Sequence, residues 1–73
     1  MPEISIRSDL RGVVWKIEVA VGDRVTQGEA LILIESMKME IPVSAPCAGV
    51  VSAIFVKEEQ QVAEGETLAL ITA

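Results

Sequence analysis

At the middle of the chain the sequence reads Glu35-Ser36-Met37-Lys38-Met39-Glu40. If Leu31–Glu35 and Glu40–Val43 are strands, Met37-Lys38 forms the tip of the hairpin that joins them. Methionines at such a tip gain nothing from a core, yet their soft, unbranched side chains suit surfaces that several partners must grip. Between them Lys38 offers a single amine on a flexible stem, carried by a rigid support. Little else in the chain could do chemistry. With no histidine and one cysteine, zinc fingers, disulfide frameworks and Cys/His or Ser/His catalysis are excluded together. No catalytic residue and no metal site are expected, so the chain by itself reads as no enzyme. Cys47 has no disulfide partner and fits a reducing cytoplasm, and it reads as a small residue beside a strand.

The elements that must position Lys38 follow from composition and from an internal repeat. Seventy-three residues make one small domain, spanning 1–73, and ten valines and eight isoleucines stand against one Phe, one Trp and no Tyr. Stiff, β-branched side chains pack well on a pleated surface, so the chain favours strands. A net charge of −5 argues against nucleic acid, which demands a basic footprint. The longest uncharged stretch, Ile41 to Val56, falls short of the roughly 20 residues of a spanning helix and is broken by Pro42, Pro46 and Gly49. Met1-Pro2-Glu3 lacks the basic start of a signal peptide. No membrane association is expected, and a cytoplasmic location is.

A shift of 37 residues lays Arg11–Ser36 over Ala48–Ala73 without a gap, and 11 of the 26 pairs are identical. They include Gly12/Gly49, Val14/Val51, Ile17/Ile54, Gly28/Gly65, Leu31/Leu68 and Ile34/Ile71. Two halves, 11–36 and 48–73, therefore share one fold about an approximate two-fold axis, with the hairpin of residues 35–42 between them. Neither half would hold a core alone. Alternation puts Val13, Trp15, Ile17 and Val19 on one face and Lys16 and Glu18 on the other, with Trp15 packing at the rim. Val13 and Val50, Ile17 and Ile54, and Leu31 and Leu68 are expected at equivalent buried sites. Gly22-Asp23 and Gly28-Glu29 mark turns that leave room only for a short strand at Arg24-Val25-Thr26. Ile4 and Ile6 supply a strand before the first copy, and Ile41 and Val43 one after the centre. Ala53–Glu64 is rich in helix formers, but its apolar residues do not recur every three or four places and the repeat lays it over strand and turn. The expected architecture is all-β, with about eight short strands closed into a flattened barrel or sandwich.

Glu35-Ser36-Met37-Lys38-Met39-Glu40 resembles the biotin attachment motif of biotin carboxyl carrier domains, usually Glu-Ala-Met-Lys-Met. The turns at Gly22-Asp23-Arg24-Val25, Gly28-Glu29-Ala30-Leu31 and Gly65-Glu66-Thr67-Leu68, and Ala45-Pro46 before Gly49, resemble the same biotinyl/lipoyl family. In length, and in Ser36, the chain is most similar to free-standing biotin/lipoyl attachment proteins. The resemblance implies two four-stranded antiparallel sheets, with Lys38 at one end and both termini at the other. It implies covalent biotin on Lys38, added by a biotin protein ligase that recognises Met37 and Met39 within the flanks Glu35, Ser36 and Glu40. It implies too that the tethered biotin shuttles a carboxyl group between a biotin carboxylase and a carboxyltransferase. The swinging arm would be roughly a dozen bonds of about 1.5 Å. Glu35 and Glu40 are either solvated charges or a means of steering a basic face of the ligase. Lipoate on the same lysine is the nearest alternative, which Met37 and Met39 disfavour, and an unmodified β-sandwich interaction module is a further one; the domain by itself is expected to be monomeric. Two positions depart from the pattern. Glu59-Gln60 replaces a Gly-Asp or Gly-Gln turn, and Asp9 stands where the repeat has Pro46. The gapless repeat leaves no room for the "thumb" of some acetyl-CoA carboxylase carriers.

Overall fold

A computed structural model describes residues 2–73; Met1, where the reading of the N-terminus began, lies outside them. The described residues form eight strands and no helix. They are β1 (Glu3–Arg7), β2 (Gly12–Ile17), β3 (Arg24–Val25), β4 (Ala30–Ser36), β5 (Met39–Ser44), β6 (Gly49–Ile54), β7 (Gln61–Val62) and β8 (Thr67–Thr72). All pairings are antiparallel. One sheet runs β1-β8-β6-β3 and the other β5-β4-β2-β7. The helix-rich composition of Ala53–Glu64 yields the end of β6, a turn and β7, because tertiary pairing outweighs propensity.

The pairing repeats with the 37-residue offset. Val13↔Glu35, Val14↔Ile34, Lys16↔Leu33 and Ile17↔Ile32 reappear as Val50↔Thr72, Val51↔Ile71, Ala53↔Leu70 and Ile54↔Ala69. It also reaches beyond the aligned stretch that starts at Arg11, since the β1–β8 register from Glu3↔Thr72 to Arg7↔Thr67 is matched by Glu40↔Glu35 to Ser44↔Ala30. Each sheet borrows its smallest strand from the other half: β3 pairs with β6, and β7 with β2. The borrowed pair interlocks the halves.

The bulges recur too, and they correct the simple alternation. Both ladders skip one residue, Trp15 in β2 and Ser52 in β6. An extra residue flips the side-chain phase, so Val14 and Val51 are the buried residues, whereas Val13 and Val50 are only half-buried and stand outside the core cluster. Beyond the bulge Ile17, Val19 and Ile54 turn inward and pack on the core while remaining half-buried. Trp15, expected on the core face at the rim, sits on the bulge itself and is 44% exposed. Leu31 and Leu68 are skipped in the same way in their ladders and are fully buried.

Four turns among the described residues share one construction. Asp23 Oδ2 accepts the Ala20 N–H at 2.9 Å, Glu29 Oε1 that of Thr26 at 3.1 Å, Gln60 Oε1 that of Lys57 at 3.1 Å, and Glu66 Oε1 that of Ala63 at 2.9 Å. In each turn the N–H of the later residue donates to the C=O of the earlier one. The third residue has positive φ: Gly22 (98°), Gly28 (87°), Glu59 (73°) and Gly65 (83°). That is the signature of a type II turn. Glu59 thus keeps the backbone of the glycine it replaces, and Gln60 does the work of Asp23. Around Asp9 the pairing also survives, because Ser8 exchanges backbone bonds with Gly65 and Glu66 as Ala45 does with Gly28 and Glu29.

Candidate functional site

Strands β4 and β5 form the longest ladder, ending in Glu35↔Glu40 and Ser36↔Met39. Only Met37 and Lys38 remain to turn the chain, and both take positive φ, 52° and 66°. Positive φ at both central residues marks a type I′ turn, whose twist matches that of the strands it joins. Such turns usually carry Asn-Gly. Here two long side chains occupy left-handed positions, each at a cost of about 1 kcal/mol or more. Strain of that size survives because the ladder behind it is well determined, with Leu31, Ile32 and Ile34 fully buried.

All six residues of the motif meet in this one hairpin. Met37 is 92% and Met39 63% exposed, Glu35, Lys38 and Glu40 are exposed, and Ser36 is half-buried. Among the described residues no carboxylate pairs with Lys38; the ion pair that forms is Lys16–Glu18 at 3.9 Å. Glu35 and Glu40 sit opposite one another, a like-charge juxtaposition that costs stability in an antiparallel pair. Pro42 is accommodated because β5 is an edge strand, where a missing N–H breaks no ladder bond.

One supporting residue was not foreseen. A Cβ at Gly12 would lie 2.6 Å from the Glu35 carbonyl oxygen and 2.7 Å from Ile34 Cγ2. Only glycine lets β2 press this closely on the end of β4 that bears the tip. Gly49 makes the same approach to Ile71 and Thr72. The signal was available, as a glycine shared by both repeats inside a strand rather than at a turn marks close backbone approach.

The tip and the chain ends lie at opposite poles. β2 leaves the tip beside Glu35, and the chain it leads into reaches Arg24 and Val25 beside Val50 and Gly49. Val50 in turn pairs with Thr72, and the Ala73 N–H donates to the Pro2 carbonyl at 3.1 Å. The body between the poles is elongated, 36 × 17 × 17 Å. Among the described residues no helix is long and apolar enough to cross a membrane. Chemically, the arrangement can hold one amine outward on a rigid mount, free for covalent attachment, between two apolar side chains that a partner could enclose.

A family model described as "Biotin-requiring enzyme" matches residues 1–71. The chain is 39% identical over 67 residues to the biotinylated protein TB7.3 homolog of Mycobacterium leprae, covering 92% of the chain and 94% of that relative. It is 37% identical over 65 residues to the biotin/lipoyl attachment protein of Bacillus subtilis, covering 89% of each. In the crystal structure of the Kluyveromyces lactis urea carboxylase a similar fold recurs with a TM-score of 0.93 and 36% identity, over 99% of this chain and 6% of that one.

Proposed function

Because the chain belongs to the biotin/lipoyl attachment family, we propose that it is a biotin carboxyl carrier joined to its cofactor through Lys38. The observation that carries this reading is the tip itself, an unpaired, exposed lysine on a strained two-residue loop between two exposed methionines. Biotin, when bound, supplies a ureido nitrogen that can hold a carboxyl group in transit. The chain supplies the mount, the reach and the surface that partners recognise.

Lys38 gives up its amine to an amide without first breaking an ion pair, and its acylation removes one positive charge from a chain of net charge −5. Met37 and Met39 provide the apolar grip by which a biotin protein ligase selects this lysine. Ser36 closes the ladder beneath them through its pairing with Met39. The acidic pair Glu35 and Glu40 steers a basic face of the ligase, raising the encounter rate more than the affinity. Behind the tip the ladder fixes the base of the arm, so that motion is confined to the lysine stem and its cargo. Tethering then makes each transfer effectively intramolecular, at a local concentration that can reach the mM range. The partners that follow are carboxylase components, a biotin carboxylase and a carboxyltransferase, which do the bond-making while residues 1–73 act as a single, monomeric, non-catalytic carrier. With its one, half-buried cysteine the chain suits the cytoplasm.

Intact mass after co-expression with a biotin protein ligase tests the reading. One biotin per chain is expected, absent from Lys38→Ala and from Lys38→Arg, because a guanidinium remains protonated and forms no such amide. A lipoyl mass, no added mass, or biotin retained by Lys38→Ala would each overturn the assignment.

A further inference from the structure

Methionine side chains are ordinarily core material, and a sulfoxide in a core is damage. Here Met37 and Met39 stand 92% and 63% exposed and outside the core cluster, so a change at their sulfur atoms costs the fold nothing. They are also the two residues on either side of Lys38. Resting on the attachment reading above, we propose that Met37 and Met39 are oxidation sites that gate attachment. Hydrogen peroxide converts their thioethers to sulfoxides, and the modified chain is refused by the biotin protein ligase until a methionine sulfoxide reductase, drawing two electrons from a dithiol that becomes a disulfide, restores the thioether and releases the oxygen as water.

The step is a two-electron oxygen transfer. A sulfur lone pair attacks one peroxide oxygen, the O–O bond breaks as the S–O bond forms, and the departing hydroxide takes up the peroxide proton to leave as water. Sulfur is oxidised and peroxide is reduced, with no further reactant. Solvent access governs which thioethers react, and the product is a polar, chiral group reversible by dedicated reductases. The consequence for recognition follows from desolvation. A partner that encloses the lysine must bury its two neighbours, and a sulfoxide oxygen buried without a donor is costly. Acceptance should fall on the order of tenfold, the effect of one such unmatched polar group. The other candidates for oxidation are less favourably placed: Cys47 is half-buried and lies on the far side of β5 in sequence, outside the tip.

The test treats the 73-residue chain, free of biotin, with hydrogen peroxide and maps added oxygen by peptide mass. The treated and untreated chains are then offered to the ligase with biotin and ATP. We expect oxygen on Met37 and Met39, an unchanged thermal midpoint, biotin incorporation slowed on the order of tenfold, and recovery after reductase treatment. Recovery that requires the reductase, and does not follow from its dithiol alone, separates sulfoxides from oxidation at Cys47, because a dithiol by itself reduces a sulfenic acid or a disulfide but not a sulfoxide. The doubly substituted Met37→Leu, Met39→Leu chain, whatever its own rate, should keep that rate after peroxide. Oxygen found only elsewhere, or sulfoxides at both residues with undiminished acceptance, overturns the gate alone. An untreated chain that takes no biotin overturns the attachment reading, and the gate falls with it.

Discussion

Met37 and Lys38 pay a conformational cost for their position, and Met39 next to them is exposed where the ladder closes. None of the three packs on the core, so their side chains are free to be chosen by what touches the tip from outside. Met37→Ala and Met39→Ala should therefore shift stability by no more than about 0.5 kcal/mol, the usual range for surface changes. Ligase acceptance should fall in both. Thermal melts beside biotin-incorporation rates check this, and a large loss of stability in either variant would mean that the side chain serves the fold. At this scale the sequence was informative, because an apolar–lysine–apolar tip has no structural rationale. What it hid was the backbone. Two positive φ angles at non-glycine residues leave no mark in residue type, since Asn or Gly would ordinarily announce them.

Turns and bulges decide where each strand's side chains point. The repeated type II turns predict opposite signs for two substitutions at equivalent positions. Gly22→Ala forces a side chain into φ 98° and should destabilise by about 1 kcal/mol, although the space around it is open. Glu59→Gly removes a side chain from φ 73° and should stabilise by about 0.5–1 kcal/mol, less whatever the freer unfolded chain recovers. Denaturant unfolding of the two variants decides it; equal signs would mean that the turns differ in geometry. The turns were legible because glycine followed by Asp or Glu recurs with the repeat. The bulges at Trp15 and Ser52 were not. Val13 and Val14 are both apolar, so nothing in the pattern says which of them faces inward, and one skipped residue reverses the assignment of Val13 while Ile17 and Val19 beyond it still turn to the core. Packing of Val14 against the opposite sheet settles it, and that is a tertiary fact.

Viewed whole, the molecule is two copies of one motif that exchange a strand, which is why its contacts tie distant segments together. Leu31 and Leu68 occupy equivalent, fully buried positions, and each Leu→Ala should cost about 2–5 kcal/mol, a large fraction of what so small a domain has. Similar midpoint losses in the two variants are expected, and one costly and one neutral substitution would show that the halves are not equivalent in energy. The alignment from Arg11 onward exposed this symmetry most clearly, since before that point Glu3/Glu40 and Ile4/Ile41 are identical but Ser5/Pro42, Arg7/Ser44 and Asp9/Pro46 have diverged while their backbones have not. Taken together, the 37-residue offset and the Ala73–Pro2 hydrogen bond imply that residues 2–73 come close to forming a closed ring. Residues 2–73 joined end to end through a two-residue loop, as long as Met37-Lys38, would have a circumference of 74 residues, twice the repeat. A backbone-cyclised chain of that length should fold with a raised thermal midpoint. Opened instead within the old tip, the same ring should give a circular permutant that still folds, with its free ends at the pole where Lys38 now stands.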